Sequence, residues 1–148
     1  MSSVLLIAFL VISIYISFED WKYMEVAGEP CLALWVILVV ECLCDGPNIP
    51  HLLLVGVTIV FFYSDFELSF FGDADFIPVI AFVVFYGFPW EATTDFYVWG
   101  AALILSLIVE AAIISYKNGQ RTLNLKIIAP CLPALTAAHV YLAILELF

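Results

Sequence analysis

Two aspartates lie where apolar segments of the chain end and begin. Asp20 follows an apolar run that starts at Val4, and Asp75 directly precedes another run that starts at Phe76. Two carboxyl groups in one site cannot both ionise at low cost, so one stays protonated and acts as an acid while the other acts as a base toward water. That arrangement predicts aspartyl-protease chemistry, which needs neither a metal ion nor a covalent intermediate.

Each aspartate also has a simpler interpretation. Asp20 can mark the boundary of its apolar segment, and Asp75 can cap the start of a helix, where the dipole favours a carboxylate. Ser13, Ser17 and Asp20 are separated by four and then three residues, which places them on one helical face that we expect to point into the protein. Capping does not account for the Gly and Ala on either side of Asp73. The paired-carboxylate hypothesis therefore stands beside both alternatives.

The composition predicts that a membrane surrounds the elements that position these residues. Of the 148 residues, 66% are hydrophobic and only 12% are charged, whereas about 25% of residues are charged in soluble domains. Four basic residues against fourteen acidic ones disfavour a nucleic-acid-binding surface. The sequence therefore predicts an all-α membrane protein and no nucleic-acid partner.

Long apolar runs predict a polytopic bundle of six transmembrane helices in a single domain, residues 1–148. Several runs are shorter than the ~20 residues of a free-standing span, so five spans stay open as an alternative. The first run lacks a basic segment and a small-residue cleavage site, so we expect it to be retained. The runs are Val4–Phe18, Cys31–Cys44, His51–Ser64, Phe76–Trp90, Phe96–Tyr116 and Ile127–Phe148.

The basic residues predict how this bundle faces the membrane. All four fall on one side of a six-span arrangement: Lys22 after the first run, and Lys117, Arg121 and Lys126 after the fifth. The positive-inside rule places that side in the cytosol and both termini outside. The segment 64–75 falls on the same side, so we expect Asp20 and Asp75 at the same cytosolic depth.

The two aspartates belong to motifs that resemble those of the prepilin and preflagellin peptidases, which are Gly-x-Gly-Asp aspartyl proteases of the type IV prepilin peptidase kind. Asp20-Trp21-Lys22 looks like the first catalytic motif, an Asp that closes span one with a base two residues later. Gly72-Asp73-Ala74-Asp75 looks like the Gly-x-Gly-Asp element that opens span four. Lys126-Ile127-Ile128-Ala129-Pro130-Cys131-Leu132-Pro133-Ala134 is similar to the basic, proline-containing start of the last span.

The chain departs from the family pattern in three ways. Ala74 stands where the strict motif has its second Gly, and the Ile-Pro-Asn that often follows the first Asp is reduced to Val26-Ala27-Gly28-Glu29-Pro30. Asp73 is a rival for Asp75, but the final position of the motif selects Asp75. The long cytosolic cysteine-rich insertion of the enzymes that also methylate is missing, which implies a peptidase-only form.

The resemblance implies an intramembrane endopeptidase that removes the short basic leader from type IV pilin-like or archaellin-like precursors. Its partners would be such a precursor, with a hydrophobic helix after the leader, and the lipid bilayer. It implies no cofactor and no metal ion. The implied catalytic residues are Asp20 and Asp75, and the implied substrate-binding or motif-supporting residues are Lys22, Gly72, Asp73, Ala74 and Lys126.

Two other functions stay open. In a small transporter or channel subunit, Asp20, Asp75 and Glu110 would form a proton or cation path, with carboxylates spread through the membrane. Glu110 lies inside the fifth run and can also pair with Lys117, so we leave it outside the predicted site. A catalytically inactive relative is the other alternative, and Ala74 is the residue that favours it.

Overall fold

Every regular element that the structure describes is an α-helix, which confirms the all-α part of the predicted fold class. The structure is a computed structural model that describes residues 3–23, 28–44, 48–63, 76–119 and 131–147. The helices of these residues are α1 (Ser3–Tyr23), α2 (Gly28–Cys44), α3 (Ile49–Tyr63), α4 (Phe76–Tyr86), α5 (Thr93–Lys117) and α6 (Cys131–Leu147).

Prolines mark the starts of four of these helices. The first N–H groups of a helix have no partner within the helix, so a residue that lacks an N–H costs little there. Asn48 precedes α3, and its Oδ1 accepts the backbone N–H of His51 at 3.3 Å, as expected of an N-cap. The prolines are Pro30 in α2, Pro50 in α3, Pro78 in α4 and Pro133 in α6, each the second or third helical residue.

A short connection after α4 turns the chain back toward α5. Gly87 has a φ of 100°, a left-handed conformation that favours glycine, and it ends α4 at Tyr86 instead of the predicted Trp90. The rings of Phe88 and Trp90 stack at 4.6 Å within the connection. On the other side of it, Phe82 packs on Phe96 at 5.8 Å, so α4 and α5 are antiparallel.

Contacts at the two ends of the bundle establish the other helix directions. At one end, which we call the Trp21 end, the Lys117 ammonium of α5 lies 5.3 Å from the centre of the Trp21 ring of α1. Helix α6 begins here as well, because its Thr136 bonds to Ser17 near the end of α1. Helices α1 and α5 therefore run in the same direction, and α6 runs against both.

The opposite end of the bundle, which we call the His51 end, contains the start of α3 and the connection after α4. The ring of His51 stacks on that of Phe88 at 5.1 Å. In the middle of the bundle, Phe9 of α1 meets Phe85 of α4 edge-on at 5.4 Å. Because α4 is antiparallel to α5, it is antiparallel to α1, and it begins toward the Trp21 end.

Two apolar clusters form the core. The first joins α1 to α2, α3 and α4 and includes Phe9, Leu34 and Phe85, and the second joins α4 to α5 and α6 around Phe82 and Trp99. Helix α1 continues to Tyr23, five residues past the predicted end of its apolar run, because the last turn is packed despite its charged residues.

Only two of the described helices are long and apolar enough to cross a membrane by themselves. They are Ser3–Lys22 of α1 and Thr93–Lys117 of α5, while Ile49–Val60, Phe76–Tyr86 and Leu132–Leu145 are apolar but shorter. The six predicted elements are therefore present as helices in the described residues, but six full crossings are not shown.

Replacing the central ring of α1 should destabilise the bundle. Phe9 is 1% exposed, and Phe9→Ala is expected to lower the free energy of unfolding by about 3 kcal/mol because the neighbouring rings cannot collapse into the cavity. Denaturant unfolding of the purified protein measures this. Phe18→Ala is the matched control, since Phe18 is 68% exposed on the same helix, and should change stability by less than about 0.5 kcal/mol. Equal effects of the two substitutions would contradict the packing described above.

Candidate functional site

Asp20 lies in the last turn of α1 and is partly buried. Its carboxylate accepts a hydrogen bond from the backbone N–H of Leu132, the second residue of α6. The C-terminal end of a helix disfavours a negative charge, whereas the unpaired N–H groups at the start of a helix favour one. The start of α6 therefore offsets part of the cost of placing a partly buried carboxylate at the end of α1.

The face of α1 that carries Asp20 also carries Ser13 and Ser17, and it points into the bundle as the sequence predicts. Both serines are buried. Ser17 Oγ lies 2.6 Å from the Ser13 carbonyl oxygen and 2.7 Å from Thr136 Oγ1 of α6. Because Ser17 has one hydroxyl proton, donation to the Ser13 carbonyl leaves a lone pair that can accept from Thr136. These bonds join α1 to α6 one turn deeper than Asp20.

Glu110 of α5 is a buried carboxyl group at the level of Asp20. The ring of His139 lies 6.0 Å from that of Phe9 on α1 and 5.6 Å from that of Trp99 on α5. Asp20 comes eleven residues after Phe9 on α1, and Glu110 comes eleven residues after Trp99 on α5. Since α1 and α5 run in the same direction, each separation corresponds to about 16 Å toward the Trp21 end. The charge of Asp20 acts on Glu110. Two carboxyl groups from different helices therefore lie at one level of the bundle, close enough for the charge of one to act on the other.

Glu110 is the residue that sequence reasoning left out of the site. Its side chain is 7% exposed, and its Oε2 has no hydrogen-bond partner among the described residues. The suggested partner, Lys117, has its ammonium over the ring of Trp21. A signal was present in the sequence, since Glu110 lies eleven residues, nearly three full turns, after Trp99 and thus on the same helical face. Nothing in the sequence showed which face of α5 is buried.

His139 makes a second polar contact deeper in the bundle. The indole N–H of Trp99 donates to His139 Nδ1 at 3.0 Å. The same Nδ1 lies 3.0 Å from the Leu135 carbonyl oxygen, so it accepts from the indole in one tautomer and donates to that carbonyl in the other. The other ring nitrogen, Nε2, is buried and has no hydrogen-bond partner within the described residues. His139 thus packs between α1 and α5 and fixes their relative level.

Most of the other predicted site residues lie outside the described residues. These are Asp75, Gly72, Asp73, Ala74 and Lys126. Lys22 is described and is exposed at the Trp21 end. Within the described ranges, no group of three or more His, Cys, Asp or Glu side chains could hold a metal ion. The structure therefore places Asp20 and Glu110 at one level and leaves the pairing of Asp20 with Asp75 untested.

No family model, curated protein or solved structure matches this chain. The resemblance to the prepilin and preflagellin peptidases rests on the sequence motifs.

The bond between Ser17 and Thr136 should couple the two residues energetically. In a cycle of Ser17→Ala, Thr136→Val and the double variant, we expect a coupling of about 0.6 kcal/mol in the free energy of unfolding, typical of hydrogen bonds between membrane helices. Denaturant unfolding in lipid-detergent mixtures measures it. As a control, Ser17→Ala and Thr58→Val should be additive, because Thr58 donates to Leu54 within its own helix at 2.7 Å. Additivity in the first cycle as well would mean that this bond does not hold α1 to α6.

Proposed function

We propose that this protein is an intramembrane aspartyl endopeptidase that removes the short basic leader from type IV pilin-like or archaellin-like precursors. Asp20 and Asp75 are its catalytic pair. One ionised carboxylate removes a proton from water, and the other, protonated, polarises the scissile carbonyl. The observation that carries the proposal is the position of Asp20. It is partly buried at the Trp21 end of the bundle, and the first residue of α4 lies toward the same end.

Distances along the helices support a meeting of the two aspartates. The contact between Phe9 and Phe85 joins antiparallel α1 and α4. Asp20 comes eleven residues after Phe9, and Phe76, the first residue of α4, comes nine residues before Phe85. These separations correspond to about 16 Å and about 13 Å in the same direction from the contact. Asp75 precedes Phe76 in the sequence, so the carboxyl groups of Asp20 and Asp75 are proposed to share one level.

The outer surface of the helices supports a location in the membrane. Large apolar side chains are exposed on all six described helices, which is costly in water and favourable against lipid. The short helices would span with the help of flanking residues and local thinning of the bilayer. Examples on the six helices in turn are Val4, Val36, Val60, Val79, Leu105 and Ile144.

The charges at the Trp21 end support the proposed orientation and substrate. Lys22 and Lys117 both lie at this end, which the positive-inside rule assigns to the cytosol in a multi-pass protein of the cell membrane. Glu19 and Asp20 also lie there. Acidic groups at this end would attract a Lys- and Arg-rich leader.

Removing either aspartate should abolish cleavage. We expect Asp20→Asn and Asp75→Asn each to lower the cleavage rate by about 10²- to 10⁴-fold, because Asn keeps the size of the side chain but cannot exchange a proton. The assay uses membranes that contain the protein and a panel of precursors, each with a basic leader and a Gly before an apolar helix. Immunoblotting of the shortened product measures the rate.

Asp95→Asn is the matched control, because Asp95 lies in the first turn of α5 at the opposite end of the bundle. Its cleavage rate should equal that of the parent chain. Cleavage that persists in either Asp20→Asn or Asp75→Asn would refute the pair, provided that all variants accumulate to the same level.

The orientation makes a separate prediction. In a background without native cysteines, Glu91→Cys should react with a membrane-impermeant maleimide in intact cells, whereas Asn118→Cys should react only after permeabilisation. Both positions are exposed and lie at opposite ends of the bundle. Labelling of Asn118→Cys in intact cells, with Glu91→Cys protected, would reverse the orientation. Labelling of both would show that the described helices do not separate two sides of a membrane.

A proton- or cation-coupled transporter or channel subunit is the second candidate. One observation favours it: buried polar groups continue from Asp20 and Glu110 to His139, about 10 Å further along α6 than Leu132. This candidate predicts that no precursor of the panel is cleaved, as does a catalytically inactive relative. A negative result with the parent chain would therefore favour these two functions over the peptidase.

A further inference from the structure

Asp20 and Glu110 lie in unlike surroundings although they are neighbours. The Asp20 carboxylate accepts the N–H of Leu132 at the start of α6, where a negative charge is favoured. One oxygen of Glu110 is buried without a hydrogen-bond donor among the described residues. An ionised carboxylate that lacks donors in an apolar bundle is costly, and a second negative charge beside it adds to that cost.

The helical register independently places both groups against α6. Eleven residues make nearly three full turns, so Asp20 lies on the face of Phe9, and Glu110 lies on the face of Trp99. Phe9 and Trp99 both contact His139 of α6. The two carboxyl groups are therefore on the faces of α1 and α5 that converge on α6.

We propose that Asp20 and Glu110 form a proton-binding pair, in which Glu110 keeps its proton while Asp20 is ionised. In the proposed peptidase, and resting on that function, Glu110 is then a positioning residue that acts through Asp20. A neutral Glu110 does not repel the Asp20 carboxylate, which therefore keeps its hydrogen bond to the start of α6. An ionised Glu110 would repel that charge and move the Asp20 carboxylate away from the start of α6.

Few other charged groups of the described helices lie near this pair. On α1 these are Glu19 and Lys22, of which Lys22 is exposed and Glu19 accepts the Tyr15 hydroxyl at 2.7 Å. On α2, which packs on α1, Glu29 lies in the first turn and is exposed. On α5, Lys117 is over the Trp21 ring. On α6, the titratable group within the described residues that faces α1 and α5 is His139, about three turns deeper. Because Glu110 Oε2 has no hydrogen-bond donor among the described residues, we infer that a bound proton neutralises its charge.

Infrared spectroscopy of the full chain in lipid tests the pair without any substrate. The C=O stretch of a protonated carboxylic acid is recorded from acid to alkaline pH. We expect the difference spectrum between the parent chain and Glu110→Gln to contain such a band at neutral pH, separate from any band of Asp75 in the proposed catalytic pair. In Asp20→Asn this Glu110 component should disappear at a pH lower by about one unit, because a neighbouring negative charge has been removed. Glu91→Gln, at an exposed position of the opposite end, should leave the band unchanged.

Several results would overturn the pair. A Glu110→Gln spectrum identical to that of the parent chain at neutral pH would do so, as would a Glu110 component that keeps its titration midpoint in Asp20→Asn. If Glu110→Gln fails to fold, Glu110→Asp replaces it. The shorter acid should retain a band with an altered midpoint, and an unaltered midpoint would exclude position 110 as its source.

Cleavage assays separate the pair from the proposed function. In Glu110→Gln the alkaline limb of the pH–rate profile should move upward by about one pH unit, because position 110 can no longer ionise. A residue that only supports the fold would lower the rate equally at every pH. An infrared result as expected without cleavage of any precursor would retain the pair and refute the peptidase. Cleavage by the parent chain, together with a band whose titration midpoint is the same in Asp20→Asn, would refute the pair alone.

Discussion

The polar seam between α1 and α6 is the contact on which the candidate site depends. A helix as apolar as α1 can bury serine hydroxyls and a carboxylate only where a neighbour supplies donors and acceptors. Helix α6 supplies them in two ways, through the Thr136 hydroxyl opposite Ser17 and through the N–H of Leu132 opposite Asp20. The second is available because α6 begins at this level, where its first N–H groups have no partner within the helix.

The aromatic contacts of His139 then determine how α1 and α5 are placed along α6. His139 is held between Phe9 and Trp99, and the Trp99 indole anchors its imidazole by a hydrogen bond. Since a helix rises by a constant ~1.5 Å per residue, a contact in the middle of the bundle determines which residues are level at its end. The level of Asp20 and Glu110 therefore follows from packing about three turns away, and not from an attraction between the two acids.

The sequence predicted the helices well and their ends less well. Apolar runs locate α1 to α6 because each helix must bury one face, but they do not say where packing stops. Charged residues made the first run look complete at Phe18. Helix α1 nevertheless continues to Tyr23, and the N–H of Leu132 on α6 binds the Asp20 carboxylate in this last turn. For α4 the prediction ran too far, because Gly87 ends the helix before the apolar residues of the connection.

The candidate site was predictable only where one helix determined it. The spacing of Ser13, Ser17 and Asp20 gave their common face, because the face of a helix follows from the sequence of that helix alone. Glu110 required the relative height and rotation of α1 and α5, which no local pattern contains. Asp20 is ninety positions away in the chain.

The level of the carboxyl groups also bears on the choice between hydrolysis and transport. A transport path needs titratable groups at successive depths, so that an ion or proton can pass from one to the next. In the described part of the bundle, Asp20 and Glu110 lie at one level. The next buried histidine or acid toward the His51 end on α1, α5 and α6 is His139, which comes seven residues, about 10 Å, after Leu132 along α6. Glu41 is buried on α2, which packs mainly on α1, α3 and α4. Acids gathered at one level suit the proposed peptidase, in which Glu110 acts through Asp20 while Asp20 and Asp75 together activate water.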